Sequence, residues 1–70
     1  NYTIVRPGQL TDDEGTGKVT VSAGLENFGR IPRQDVARVL LAVLGSDHTE
    51  NRVFEVVSGD TPVPEALANL

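Results

Sequence analysis

Apolar positions along this chain follow two rhythms. Tyr2-Thr3-Ile4-Val5 is rich in strand formers and mostly apolar on both faces, as a strand inside a parallel sheet would be. Arg6-Pro7-Gly8 closes that run, so a first core strand is predicted over Tyr2–Arg6. Thr11–Gly17, TDDEGTG, is acidic and turn-forming, and reads as a flexible turn. Lys18–Ser22 alternates polar and apolar residues, the mark of a half-exposed strand. Ala23–Arg30 reads as a loop with Leu25 and Phe28 as anchors.

The rhythm changes at Pro32. Val36, Ala37 and the run from Val39 to Leu44 leave almost no polar face, which predicts a helix over Pro32–Leu44 buried nearly all round. Proline suits the first helical turn, and Asp35 suits the positive end of the helix dipole. Gly45 is placed to end the helix in a left-handed cap. Ser46–Asn51 is a polar loop, and Arg52–Ser58 is a second strand. Gly59-Asp60 turns the chain. Thr61 then offers an N-cap, with Pro62 at the first helical position. Val63, Ala66, Leu67 and Leu70 form one stripe of this last helix. Pro64 stands where a capping box would place glutamate, and Glu65 favours the dipole one residue late.

The order is strand, small excursion, helix, strand, helix. Such alternation implies a parallel pair of strands joined by a right-handed crossover. Two parallel strands and a wholly apolar helix need more partners than this chain supplies. The expectation is a piece of a larger sheet, and the start at Asn1 without methionine points the same way. Its open strand edge and apolar helix faces should make the fragment dimerise or swap elements.

Composition narrows the chemistry. The 70 residues allow one domain at most, and a chain this short buries only about 60% of its unfolded surface. There are no cysteines, which removes disulfides and thiolate metal sites, and His48 alone cannot build a zinc centre. No metal is expected. The net charge of −4 and a pI near 4.6 argue against nucleic acid. Arg6, Lys18, Arg30, Arg33, Arg38 and Arg52 form no run or stripe, and Tyr2, Phe28 and Phe54 are too few for a base-stacking platform. No apolar run approaches the roughly 18 residues of a membrane span. No signal peptide is visible, and an acidic, cysteine-free chain fits the cytoplasm.

Several motifs fail on inspection. Gly15-Thr16-Gly17-Lys18 invites a phosphate-loop reading, but Asp12 stands where that loop needs glycine and Val19 where it needs Ser or Thr. A dinucleotide fingerprint would need glycine at Thr20. Asp12-Asp13-Glu14 lacks the alternating spacing of a calcium loop and reads as solvated. Glu55 and Asp60 could serve as paired carboxylates only if folding joined them. His48 lies in a polar loop and supports no nucleophilic triad. No catalytic residue is expected within the chain.

Arg6-Pro7-Gly8 admits two readings. In the first, arginine reaches solvent at a strand end, proline blocks further sheet pairing and glycine permits a turn. In the second, the position matters. Ligands of open parallel sheets bind outside the carboxyl ends of the strands. A loop without bulky side chains lets a planar ligand approach backbone there, and Arg6 could serve an anionic group.

TIVRPG, then IPRQDVARVLLAVL, then FEVVSGDTPVPEAL, in this order and spacing, resembles the atypical short-chain dehydrogenase/reductase family. The nearest likeness is to its sugar-epimerase-like and NmrA-like NAD(P)-binding members, over essentially the whole chain. The resemblance implies an α/β fold: the C-terminal βαβα portion of a Rossmann-like, doubly wound parallel sheet with a small extra strand or hairpin. Residues 1–70 would form the substrate-side segment, with the glycine-rich cofactor loop and any Tyr-x-x-x-Lys pair lying upstream. Tyr2 is followed at that spacing by Arg6, not lysine.

The implied cofactor of the complete protein is NAD or NADP, and its implied partner is a small-molecule substrate. Pro7 and Gly8 match the segment beside the nicotinamide. Arg6, Gln9, Leu10 and Arg33 would border the substrate pocket. Asp35 is expected to be structural, holding a helix end or pairing with a nearby arginine. The parent would be an oxidoreductase or epimerase; the alternatives are a non-catalytic NmrA-like sensor or a stand-alone dimerising module.

Overall fold

The computed structural model describes residues 2–22, 29–45 and 51–69. Its elements in chain order are β1 (Thr3–Pro7), β2 (Gln9–Thr11), β3 (Lys18–Ser22), β4 (Arg30–Pro32), α1 (Arg33–Leu44), β5 (Arg52–Ser58), β6 (Thr61–Pro62) and α2 (Val63–Ala68). The predicted loop anchors Leu25 and Phe28, the loop residue His48 and the last stripe residue Leu70 lie outside the described residues.

The fold is α/β, with a main sheet in the order β1-β5-β3-β6 and a smaller sheet of β2 and β4. β1 and β5 run parallel, with Ile4 beside Val53 and Pro7 beside Val56. This is the pairing expected of the two strands flanking the long excursion. β3 joins β5 antiparallel, setting Val21 beside Val56, and β6 pairs with the start of β3. The excursion strand is thus part of the main sheet, which makes that sheet mixed.

Alternation along β5 sends Phe54 and Val56 to one face, where they are buried. Val5 and Val21, beside them in register, pack against the same cluster. Val19, Ile31 and Val39 complete its centre, and α2 closes it with Val63, Ala66 and Leu67. The opposite face of the parallel pair is also apolar, yet Ile4 is 46% and Val53 39% exposed. The chain covers one face of its own parallel pair.

The structure corrects several expectations. The first strand runs through Pro7 rather than ending at Arg6: proline needs no donor there, and the next amide, that of Gly8, bonds the Val56 carbonyl at 2.9 Å. Gln9–Thr11 and Arg30–Pro32 are parallel strands, although Thr11 is expected to open a turn, Arg30 to end a loop and Pro32 to start the helix. Their pairing is between segments far apart in sequence, which no local pattern reports.

The helix α1 is not buried all round. Val39 and Asp35 are its buried residues, whereas Leu41 is 72% and Leu44 85% exposed. Gly45 ends it with φ −101°, outside the left-handed region, and its amide bonds the Ala42 carbonyl. Asn51 takes the left-handed conformation instead, at φ 59°, a region that Asn tolerates better than most residues. Thr61 and Pro62 pair with Val19 and Lys18 as β6, so the last helix starts at Val63, with Pro62 as its N-cap.

Candidate functional site

Two constructions define the region around the carboxyl end of β1. The first is a sheet switch. The Gly8 amide still bonds within the main sheet, to Val56, while the next amide, of Gln9, bonds the carbonyl of Gly29, the residue before β4 of the small sheet, at 2.9 Å. The chain therefore changes sheets across a single peptide. A side chain on Gly8 would run into the Gly29 carbonyl oxygen and come within 2.9 Å of the Val57 methyl. One on Gly29 would meet Val57 at 2.8 Å. Gly8, Gly29 and Val57 form one close-packed junction. Glycine at position 8 is thus required by the protein's own packing, a reason independent of any ligand.

Beyond the switch, β2 runs beside β4 with Gln9 opposite Arg30, Leu10 opposite Ile31 and Thr11 opposite Pro32. One step further, the Asp12 carboxylate accepts a hydrogen bond from Arg33 Nε at 3.0 Å, extending the same register as an exposed ion pair. The sheet switch and this register bring Pro7, Gly8, Gln9, Leu10 and Arg33 onto one continuous stretch of structure. Arg6 precedes them on β1, beside Glu55 of β5. Arg6, Pro7, Gln9, Leu10 and Arg33 are exposed and Gly8 is half-buried.

The second construction is a clasp. Gln34 and Asp35, in the first turn of α1, reach the Gly15-Thr16-Gly17 turn. The Gly15 amide donates to Gln34 Oε1 at 2.8 Å. The Thr16 and Gly17 amides donate to the two Asp35 oxygens at 3.1 and 2.8 Å. Arg38, one turn along the helix, donates to Asp35 Oδ1 at 2.7 Å. Asp35 is wholly buried. Burial pushes its carboxyl toward protonation. The Thr16 and Gly17 amides and the Arg38 guanidinium outweigh that effect and hold it below the usual aspartate range. Asp35 thus pairs with an arginine as the sequence suggested, and in addition secures a distant turn.

This clasp settles what the glycine-rich turn can bind. Its three successive amides are already taken, two of them by a carboxylate, so they are not open to a phosphate. The turn read as flexible is tied at each of these positions. Among the described residues no cluster of acidic or histidine side chains could hold a metal ion, and no helix is long and apolar enough to cross a membrane. Gly29, Val57 and Gln34 also shape this region, and no local pattern in the sequence marks them. Each earns its place through a long-range contact, and only the glycine itself hinted at close approach.

A family model described as NAD(P)H-binding matches residues 1–47. The Bacillus subtilis protein YhfK, described as an uncharacterized sugar epimerase, is 49% identical over 69 residues, covering 99% of this chain and 32% of YhfK. The Schizosaccharomyces pombe protein UPF0659 C216.03 is 31% identical over 68 residues, covering 97% of this chain and 27% of its own. Among solved structures, a proposed NAD-dependent epimerase/dehydratase from Bacillus halodurans superposes with a TM-score of 0.93 at 46% identity, covering 99% of this chain and 33% of that one. The oxidoreductase ylbE from Lactococcus lactis superposes with a TM-score of 0.85 at 33% identity, over 99% of this chain and 31% of its own. The chain spans about a third of the length of these relatives. By its family match and its Rossmann-like α/β fold, the chain belongs to the NAD(P)H-binding family.

Proposed function

We propose that this chain is the C-terminal, substrate-side segment of an NAD(P)-dependent oxidoreductase or epimerase of the atypical short-chain dehydrogenase type. The observation that carries this reading is the exit of β1 from the parallel pair at Gly8. Ligands of open parallel sheets sit outside the carboxyl ends of the strands, and β1 ends there in Arg6, Pro7 and Gly8 before turning into β2. The family match and the names of the relatives support the same assignment.

The residues present suit one end of a dinucleotide. Exposed Pro7 offers a flat apolar surface with no bulky side chain following it, which fits the nicotinamide ring. Phosphates find no open amides in the Gly15–Gly17 turn and would be held by other parts of the protein. The cofactor, when bound, supplies hydride transfer. Pro7 and Gly8 form the wall that keeps it in place. Arg6, Gln9, Leu10 and Arg33 border the substrate, with Arg33 steadied by Asp12.

Calorimetric titration of the full-length protein with NADH and with NADPH tests the assignment. Saturable binding of at least one, weakened by Pro7→Asp, is the expected result. Absence of binding for both removes the proposal.

A further inference from the structure

We infer that Arg30, with Gln9 beside it, is an anchor for an oxyanion group, carboxylate or phosphate, on the small-molecule substrate. The inference rests on the proposed function above and adds to it a specificity-determining pair. It starts from the sheet switch. A side chain at Gly29 would project into Val57. Successive side chains along an extended chain point to opposite sides, so Arg30 projects away from Val57 and the main sheet. The same argument applies to the neighbouring strand, where a side chain at Gly8 would project toward Val57 and Gln9 points away from it. Gln9 and Arg30 are register partners, and side chains of adjacent residues in one register share a face. Both are exposed.

Their backbones are held firmly. The Gln9 amide bonds Gly29, the Gly8 amide bonds Val56, and Ile31, the residue after Arg30, is wholly buried. The guanidinium above this fixed backbone supplies a donor fork, and the adjacent amide side chain adds a neutral donor.

Register sets Arg30 apart from the other cations without an ion pair among the described residues: Arg6 stands beside Glu55, Arg52 beside Thr3 and Lys18 beside Pro62, whereas Arg30 stands beside the amide donor Gln9. Arg33 is engaged with Asp12 and Arg38 with Asp35. Arg30 forms no ion pair among the described residues, although the chain as a whole carries a net charge of −4. In an acidic chain an exposed arginine on a fixed backbone, with no ion pair among the described residues, attracts an external anion. Its place, one residue from the switch that follows Pro7, puts that anion at the rim of the proposed cleft.

The test uses full-length protein with saturating reduced cofactor, titrated with acetate and with inorganic phosphate and followed by calorimetry and by the arginine side-chain NMR signals. At least one anion should bind, moving the Arg30 Nε signal. Arg30→Gln should weaken that anion about tenfold or more, the loss of a charge-assisted hydrogen-bond pair, and leave the cofactor Kd unchanged. Arg30→Lys should fall between the two, and Arg52→Gln should match the wild type. Which anion binds identifies the substrate group. Unchanged anion affinity in both Arg30 variants, or no anion binding by the cofactor-loaded wild type, overturns the inference while leaving the cofactor reading intact. Failure of the wild type to bind either cofactor is the separate result that removes the underlying reading.

Discussion

The Asp35 carboxylate accepts the Gly17 amide at 2.8 Å, bridging eighteen residues of sequence. Gly17 in turn offers its carbonyl to the Val63 amide at the start of α2. One buried side chain therefore ties α1 to the turn before β3, and that turn to α2. Asp35→Asn keeps the shape but turns one acceptor into a donor facing amides and a guanidinium. The expected cost is about 2–3 kcal/mol, the price of stranded buried donors, read from urea denaturation at neutral pH. A loss below 0.5 kcal/mol, roughly the scatter of ordinary surface changes, would deny Asp35 this role.

The same carboxylate gives stability a direction with pH. Its folded pKa is held below the ordinary value. A group depressed in this way contributes stability above its unfolded pKa, about 4 for aspartate, and loses it as pH falls through the folded value. The penalty of Asp35→Asn should therefore be largest near neutrality and shrink in acid. Paired denaturation curves at pH 7 and at about pH 3 check this; a penalty that stays constant contradicts it.

Gly8→Ala should destabilise the protein by about 1–3 kcal/mol, as overpacking of a closed site does. The added methyl meets the Gly29 carbonyl and Val57. If the glycine served only ligand approach, stability would be unchanged and cofactor affinity alone would drop. Thermal unfolding without ligand separates the two outcomes.

Thr11 Oγ1 is buried and has no hydrogen-bond partner among the described residues. Thr11→Val replaces the hydroxyl with a methyl of similar shape. Removal of an unsatisfied polar atom should be neutral or stabilising by up to about 1 kcal/mol. A clear destabilisation in equilibrium denaturation would reveal a partner for that oxygen.

Leu41 and Leu44 lie exposed on α1, and Ile4 and Val53 on the open face of the parallel pair. The 70-residue chain by itself is expected to dimerise or exchange elements through such surfaces. Leu41→Lys combined with Leu44→Lys should shift sedimentation toward monomer. A wild-type chain that sediments only as monomer at tens of micromolar or so removes the expectation.

Local pattern carried the main elements. β-branched runs marked a first strand over Tyr2–Arg6, one residue short of the observed end of β1 at Pro7, and a second over Arg52–Ser58; alternation marked Lys18–Ser22, and the apolar run with its leading proline marked α1. These signals lie within a few residues of one another, so a strand or helix period is enough to read them. The candidate site was legible as a position, the end of the first strand. The reason for its glycine was not, because the atoms that demand it belong to Gly29 and Val57. The exposure of α1 was likewise misread, since a helix's apolar count does not tell which side meets a core.

Sequence by itself determined the α/β class, the parallel relation of its two best strands, and the absence of thiol chemistry in a chain without cysteine. Tertiary structure alone decided that Gln9 pairs with Arg30, that Gly15–Gly17 is clasped by Gln34 and Asp35, and that the chain changes sheets at Gly8. The physical reason is range. Secondary structure follows from neighbours along the chain, whereas register, buried hydrogen bonds and close backbone contacts join residues that only folding brings together.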